Sequence, residues 1–291
     1  MKPAAFHYHR PDTVDAATRM LADFGEEAKI LAGGQSLVPM LSLRLAYFDH
    51  LIDISRLAEL RGIERQDGAL WIGAGTTDAT VGADEQVRTA VPLLARVTPF
   101  IGHFQIRNRG TLGGSIAHAD PAGEYPAVAL ALDAQMEAVG PTTRRSIDAA
   151  EFFTGVWDTA LQPDEVLVGV RFPVWEGRCG FAVQEFARRH GDFAIAGAVM
   201  GIELDGDDRV RRCVIGLLGL GSTPKRARAA EAAVIGQAVG DVSAQEVGDL
   251  AMTGLDDIPA DLQGSASYRT RVGAAMVARA WSAASMEATR D

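Results

Sequence analysis

The residues best suited to chemistry in this sequence are two glycine pairs set among small and hydroxyl side chains. The first lies in Ala32-Gly33-Gly34-Gln35-Ser36, and the second, about eighty residues later, in Thr111-Leu112-Gly113-Gly114-Ser115. Glycine permits positive φ and bares the backbone, so that consecutive N–H groups can converge on an anion. Two such loops, brought together by the fold, could hold the two phosphates of a dinucleotide. The alternative is that each pair is an ordinary turn.

Two other candidate sites are poorly supported by spacing. His103, His118 and Asp120 match no metal-ligand template, and a loop histidine more often bonds the backbone. Cys179 and Cys213 are the only cysteines, whereas an iron–sulfur cluster normally takes four thiolates. We therefore expect no metal centre on this chain, and any iron–sulfur cluster must lie on another one.

Composition and charge exclude several classes of partner. The chain has 291 residues, is 47% hydrophobic and 23% charged, and has a net charge of −10. This balance is typical of a globular protein and disfavours nucleic acid as the main partner. No apolar run approaches the ~20 residues of a transmembrane helix. The N-terminal residues show no apolar signal-peptide core, so we expect a cytoplasmic protein.

The glycine loops lie between predicted strands and helices. Residues 28–31 read as a strand that enters the first loop, and residues 37–45 as a helix after it. Asp67-Gly68 predicts a hairpin turn, and a Pro/Gly-punctuated break near residues 173–177 predicts a domain boundary. Three strand-like runs and three alanine-rich helices follow the break. The order of elements indicates an α+β fold with domains at 1–176 and 177–291.

Several ordered motifs together resemble one family. The runs Lys29 to Pro39, Arg107 to Ser115, Ala117 to Glu124 and Arg188 to Ala194 are similar to those of the medium, FAD-binding subunit of molybdenum hydroxylases. This is the carbon monoxide dehydrogenase and xanthine dehydrogenase group. The likeness covers nearly the whole chain. It implies an FAD-binding domain of the vanillyl-alcohol-oxidase or PCMH type, with two α+β subdomains. A C-terminal domain with a three-stranded antiparallel sheet and a three-helix bundle would follow.

The resemblance also implies which residues contact FAD. The two glycine segments would wrap its pyrophosphate, and single residues elsewhere would contact the rest of the cofactor. Ile101 and Phe193 match positions beside the flavin ring, Glu124 a contact to hydroxyl groups, Leu167 a backbone contact near the adenine, and Gln184 a polar position. The segments contribute Lys29, Ile30, Leu31, Ala32, Gly33, Gly34, Gln35, Ser36, Thr111, Leu112, Gly113, Gly114 and Ser115.

The function implied by the resemblance is electron transfer within a larger complex. A large subunit would hold the molybdenum cofactor, and a small subunit with two [2Fe-2S] clusters would pass electrons to this FAD. The implied assembly is a dimer of heterotrimers. No side-chain acid or base is required for this role, so we assign no catalytic residue. A self-sufficient flavin-dependent oxidase or reductase of the same fold remains an alternative, as does a cofactor-free interaction subunit.

Overall fold

The N-terminal part of the computed structural model is a small parallel sheet with two helices. The structure describes residues 2–290. Strand order in this sheet is β1-β3-β2, and both pairings are parallel. Helix α1 begins at the cap Thr13, whose hydroxyl accepts the Ala16 amide, and it buries a stripe of apolar side chains. The elements are β1 (His7–His9), α1 (Val14–Phe24), β2 (Ala28–Leu31), α2 (Leu37–Leu43) and β3 (His50–Asp53).

The second part is a five-stranded antiparallel sheet that packs against its own helices on one face and against α1 on the other. Its order is β4-β5-β10-β6-β7, and the β4–β5 turn has positive φ at both Asp67 and Gly68, as the Asp-Gly pair predicts. The elements are β4 (Ile63–Gln66), β5 (Ala69–Gly73), α3 (Asp78–Ala83), α4 (Glu85–Ala90), α5 (Pro92–Val97), α6 (Phe104–Arg107), α7 (Leu112–His118), α8 (Glu124–Ala131), β6 (Gln135–Val139), β7 (Arg144–Asp148), α9 (Ala149–Phe152), β8 (Phe153–Gly155), β9 (Asp158–Thr159) and β10 (Val166–Pro173).

The C-terminal part is an antiparallel sheet followed by helices. Three nine-residue strands form its body, in the order β11-β12-β13, and a two-residue strand β14 extends it. The elements are β11 (Arg178–Phe186), β12 (Ala196–Leu204), β13 (Val210–Leu218), β14 (Lys225–Arg226), α10 (Arg228–Val234), α11 (Ala244–Ala251) and α12 (Ala266–Ala288).

The C-terminal sheet is covered on both faces. Phe181, Val199 and Val214 belong to one core with the buried residues of α5 and α8. Ala182 and Met200, one residue away along their strands, belong to a second core with α10, α11 and α12. Strand alternation explains this division, because successive side chains point to opposite faces. One face of the C-terminal sheet therefore packs against the second part of the chain, and the other face packs against the C-terminal helices.

The predicted α+β class is confirmed, with differences in detail. The N-terminal sheet is parallel, because the short α1 and α2 crossovers return each strand in the same direction. The C-terminal sheet gains the short β14 beyond the three predicted strands. The second glycine segment is mostly the start of helix α7 rather than a loop. Across residues 2–290, none of the helices has the length and apolar character to span a bilayer.

Candidate cofactor-binding site

The first glycine segment leaves a row of backbone amides free. It connects the end of β2 to α2, and Gly34 has φ +74°, a value that glycine adopts without strain. The Gly34 carbonyl accepts the Val38 amide at 3.1 Å, and the Gln35 side chain donates to the Gly33 carbonyl at 2.8 Å. Within residues 2–290, the N–H groups of residues 33–36 have no acceptor. Such consecutive donors favour a phosphate.

The second segment uses its amides internally, which differs from the prediction that both loops offer free N–H groups. Thr111 caps α7, and its hydroxyl accepts the Gly114 amide at 3.0 Å. The Leu112 and Gly113 amides donate to the Thr76 and Ala74 carbonyls in the segment after β5, and the Ser115 amide donates to the Thr111 carbonyl at 2.9 Å. Its glycines serve close packing instead. A Cβ on Gly113 would lie 2.3 Å from the Ala74 Cβ.

The two segments lie against each other, as the sequence hypothesis requires. A Cβ on Gly33 would lie 2.1 Å from the Arg109 carbonyl oxygen and 2.8 Å from the Gly110 Cα. A Cβ on Gly114 would lie 3.6 Å from the Ala32 Cβ. Backbones can approach this closely only where no side chain intervenes. Glycine at position 33 therefore closes the junction between two remote parts of the chain.

The β2 residues before the loop are placed by the parallel sheet. Ile30 and Leu31 pair with Ile52 and Asp53 of β3. Lys29 is exposed, and its Nζ lies 5.8 Å from the centre of the Phe48 ring. The Lys29 ammonium is thus the positive charge next to the first loop, which suits an anionic ligand.

Three polar side chains, His118, Asp120 and Trp157, contact one another near the C-terminal end of α7. The rings of His118 and Trp157 stack with centroids 6.1 Å apart, and the Trp157 indole donates to Asp120 at 3.1 Å. Burial lowers the pKa of His118, an effect that Asp120 opposes and Lys29 reinforces. Helix α7, which ends at His118, begins beside the first glycine segment, because a Cβ on Gly114 would lie 3.6 Å from the Ala32 Cβ.

Three carboxyl groups, on α3, α8 and β11, are withdrawn from water: Asp78 and Glu124 are buried, and Glu185 is partly exposed with a buried Oε2. Burial and the charge of Glu124 raise the pKa of Asp78 to about 8, against the opposing effect of Arg107. Burial raises the pKa of Glu124 to about 7, and burial with the charge of Glu124 raises that of Glu185 to about 8. Asp78 and Glu124 are only 2% and 7% exposed. Carboxyl groups so perturbed often mark a functional site.

The carboxyl cluster also fits a polar ligand. Asp78 Oδ1 and Glu185 Oε2 are buried and have no hydrogen-bond partner in the part of the chain that the structure describes. Buried polar atoms are normally paired, and the hydroxyl and ring N–H groups of FAD are donors that could pair with them. Of the three residues, sequence reasoning identified only Glu124. The other two come from elements remote in sequence, and their approach leaves no local pattern.

Strand alternation separates Gln184 from Glu185. Phe181 and Val183 face the core shared with the second part, and Glu185 shares their parity and lies near Glu124. Gln184 lies on the other side of β11 and lines a groove beside α12. The polar side chain that β11 directs toward the carboxyl cluster is therefore Glu185, next to the position expected from the sequence.

The remaining predicted contacts, Ile101, Phe193 and Leu167, differ in exposure. Gly191, with φ +85°, packs against Gly102, since a Cβ there would lie 3.0 Å from the Gly102 carbonyl oxygen. This contact holds the loop of residues 187–195 beside Ile101, and Phe193 on that loop is 54% exposed. Leu167 is buried, at a pairing irregularity of β10. Its side chain is in the core, so a contact there would use the backbone.

The described residues hold no group of three or more histidine, cysteine or acidic side chains arranged for a metal ion. Burial raises the pKa of the Cys179 thiol to about 11 and that of the Cys213 thiol further. Both thiols are free and protonated at neutral pH. They behave as small apolar side chains.

Comparisons with known proteins agree over nearly the whole chain. A family model described as the FAD binding domain in molybdopterin dehydrogenase matches residues 4–175, and one described as the CO dehydrogenase flavoprotein C-terminal domain matches residues 181–284. The alpha subunit of the 6-hydroxypseudooxynicotine dehydrogenase complex of Paenarthrobacter nicotinovorans is 41% identical, over 96% of this chain and 94% of its own. The carbon monoxide dehydrogenase medium chain of Hydrogenophaga pseudoflava is 37% identical, over 98% of both chains.

The fold is that of a solved relative. A structure of carbon monoxide dehydrogenase from Hydrogenophaga pseudoflava, which lacks the Mo-pyranopterin moiety of its cofactor, superposes with a TM-score of 0.95. The match has 39% sequence identity and covers 99% of each chain.

Proposed function

Because this chain belongs to the family of FAD-binding medium subunits of molybdenum hydroxylases, we infer that it carries electrons within such a complex. It takes them from the [2Fe-2S] clusters of a small subunit and passes them to an external acceptor. FAD supplies the redox chemistry, since it can exchange electrons singly or in pairs. The protein binds and orients it. The chain is thus the electron-transfer part of an oxidoreductase.

One observation carries this proposal: the free amides of residues 33–36 lie at the junction that Gly33 makes with Arg109 and Gly110. In an acidic chain, backbone dipoles must neutralise much of a diphosphate's charge, and these amides provide them. Lys29 adds a local positive charge. The hydroxyl of Thr111 is already engaged, so the second segment acts mainly by closing the junction.

The carboxyl cluster, whose Asp78 lies against Gly110, has a different role from the free amides. The raised pKa values, about 8 for Asp78 and Glu185 and about 7 for Glu124, keep a larger share of these carboxyl groups protonated at neutral pH than in water. They can therefore lie beside an anionic cofactor with less repulsion, and can donate or accept hydrogen bonds. We assign positioning roles here and no catalytic residue.

The partners are proposed from the family. Relatives are named as a subunit of a dehydrogenase complex and as a medium chain, which supports a small subunit with the [2Fe-2S] clusters and a large subunit with the molybdenum cofactor. The two cysteines of this chain are too few for a four-thiolate cluster, in agreement with this division. We propose a cytoplasmic dimer of heterotrimers. The proposed division of the chain into 1–176 and 177–291 is supported by the spans of the two family models.

The test is anaerobic electron transfer between isolated chains. We expect the purified protein to be yellow and its flavin absorbance to bleach when it is mixed with reduced small subunit. The isolated chain should not bleach with carbon monoxide, caffeine or 6-hydroxypseudooxynicotine, the compounds that relatives are named for. Bleaching of the isolated chain by one of these would identify a self-sufficient flavoenzyme. Failure to take up added FAD would indicate a cofactor-free interaction subunit.

A further inference from the structure

Strand β11 forms an open edge of the C-terminal sheet. It pairs with β12 on one side only. The Phe181 amide donates to Glu287 Oε2 at 3.0 Å, and the Phe181 carbonyl accepts from Arg96, so both groups point away from β12. Phe186 has the opposite parity, and its carbonyl, which accepts the Ile195 amide, faces the β12 side. Open strand edges are templates for pairing with another chain.

The alternation of the ladder fixes which further groups lie on this edge. The β11–β12 register is continuous from Arg178 to Phe186. The amides and carbonyls of Val183 and Glu185 therefore point outward, as those of Phe181 do. No protein acceptor for these two amides occurs within residues 2–290. The Arg96–Glu287 pair provides hydrogen-bond partners for the Phe181 amide and carbonyl, and the strand edge is open beyond that residue.

A continuous depression follows the open edge. Residues 181–184 line a groove of about 980 Å³ whose far wall is α12, with Ser282 and Met286. Phe100 lines both this groove and a second cavity of about 250 Å³, which Glu185 and Ala187 also line. Met286 is an exposed apolar side chain. Both cavities together run along β11 and end beside the loop that carries Phe193.

The depression is positively charged on a strongly acidic protein. Arg279 on α12 and Arg290 just after its end are exposed, line the groove and form no ion pair within the described residues. Arg189 and His190 line the second cavity. Of the acidic residues that line the two cavities, Glu287 pairs with Arg96, and Glu185 has a carboxyl whose pKa is raised to about 8 by burial and by the charge of Glu124. With a net charge of −10 on the whole chain, this concentration of positive charge favours an acidic occupant.

We propose that the open edge of β11 binds an extended, acidic segment of a partner subunit, which adds a strand beside Val183 and Glu185. This inference rests on the proposed function, which supplies the partners. Main-chain hydrogen bonds would give the affinity and the arginines the specificity, as in other cases of strand addition. A second copy of this chain fits poorly. A two-fold dimer through β11 would place Arg279 and Arg290 of both copies together.

Hydrogen exchange at single amides tests the proposal in the intact assembly. We expect the Val183 and Glu185 amides to exchange at least about tenfold more slowly in the complex with the large and small subunits than in the isolated chain. The amides of Asp67 and Gly206, in exposed turns far along the chain, should not change. Unchanged exchange at Val183 and Glu185 in a complex that still transfers electrons would overturn this inference alone.

Charge reversal supplies an independent measurement. The double variant Arg279→Glu/Arg290→Glu should lower the affinity of the isolated chain for the partner subunits about tenfold and reduce its dependence on salt. Arg19→Glu/Arg271→Glu changes the net charge equally at exposed sites outside the groove and should bind normally. Equal binding by both variants, or protection of β11 through self-association, would contradict the proposal. Absence of any complex would reject the proposed function with it.

Discussion

The two glycines of the first segment serve different physical needs. Gly34 is required for its backbone conformation, since φ +74° is strained for other residues. Gly33 has no positive φ, and it is required because the Arg109 carbonyl occupies the space of a side chain. The distinction matters for experiments, because a substitution at position 33 tests the junction itself rather than the local turn.

We therefore predict that Gly33→Ala loses FAD while keeping its fold. The added Cβ would lie 2.1 Å from the Arg109 oxygen, so the two segments must separate. FAD affinity should fall at least about tenfold, equivalent to about 1.4 kcal/mol. The ratio of flavin to protein absorbance measures the loss, and far-UV circular dichroism reports the fold. Gly206→Ala is the matched control, because a Cβ there meets nothing within 4 Å. Equal flavin content in both variants would refute the role of the junction.

At the scale of elements, local patterns predicted most helices and strands. Helical periodicity indicated α1, alanine-rich composition indicated α8, and Asp67-Gly68 predicted the β4–β5 turn. The order of strands in the parallel sheet was not predictable in this way, because it depends on pairing between remote segments. The satisfied amides of the second glycine segment were also missed. They depend on carbonyls in the segment after β5, which no local pattern reveals.

The carboxyl cluster illustrates the same limit at single residues. Asp78, Glu124 and Glu185 come from two helices and a strand, and each looks unexceptional in its own segment. Only the packed structure removes them from water and raises their pKa values. The family resemblance led to Gln184, whereas the parity of β11 directs Glu185 toward Glu124. A difference of one residue in a strand exchanges one face of the sheet for the other.

The position of the Glu185 carboxyl beside the carboxyl cluster predicts how FAD binding depends on pH. Glu185 has a pKa raised to about 8, so it is neutral below that pH and negatively charged above it. FAD is anionic, and its binding should therefore weaken as the pH rises from 6 to 9. Glu185→Gln removes the charge and should reduce this weakening by roughly fivefold at pH 9. Fluorescence titration with FAD measures the effect.

The neighbouring residue provides the control for this prediction. Gln184→Ala alters a side chain that lines the groove on the other side of β11, so its FAD affinity should follow that of the unsubstituted protein at every pH. The opposite result, with Gln184→Ala affecting FAD binding and Glu185→Gln having no effect, would restore the position expected from the sequence.

At the scale of the whole molecule, the three parts share one framework around the site. The Gly219 amide, at the end of β13, donates to the Pro121 carbonyl at 2.9 Å and so joins the C-terminal sheet to the segment before α8. Arg269 on α12 lies behind this contact. It donates to the carbonyls of Ile195 at 2.5 Å and Gly219 at 3.3 Å. The long C-terminal helix thus reaches the loop that carries Phe193.

Arg269 is the residue through which a change in α12 should reach the cofactor site. Its side chain is 4% exposed, and its Nη2 donates to both carboxylate oxygens of Asp261, which is half-exposed. Arg269→Gln should lower the free energy of unfolding by about 2 kcal/mol, less than for a fully buried pair because water can solvate Asp261. The released loop should exchange its amides at residues 193–195 faster and hold FAD more weakly. Urea unfolding, hydrogen exchange and FAD titration measure these effects.

The control is Arg271→Gln, at an exposed position of the same helix, which should leave all three measurements unchanged. If Arg269→Gln lowered the free energy of unfolding but left amide exchange at residues 193–195 and FAD affinity normal, the prediction would be wrong. Arg269 would then stabilise the fold without positioning the loop that carries Phe193.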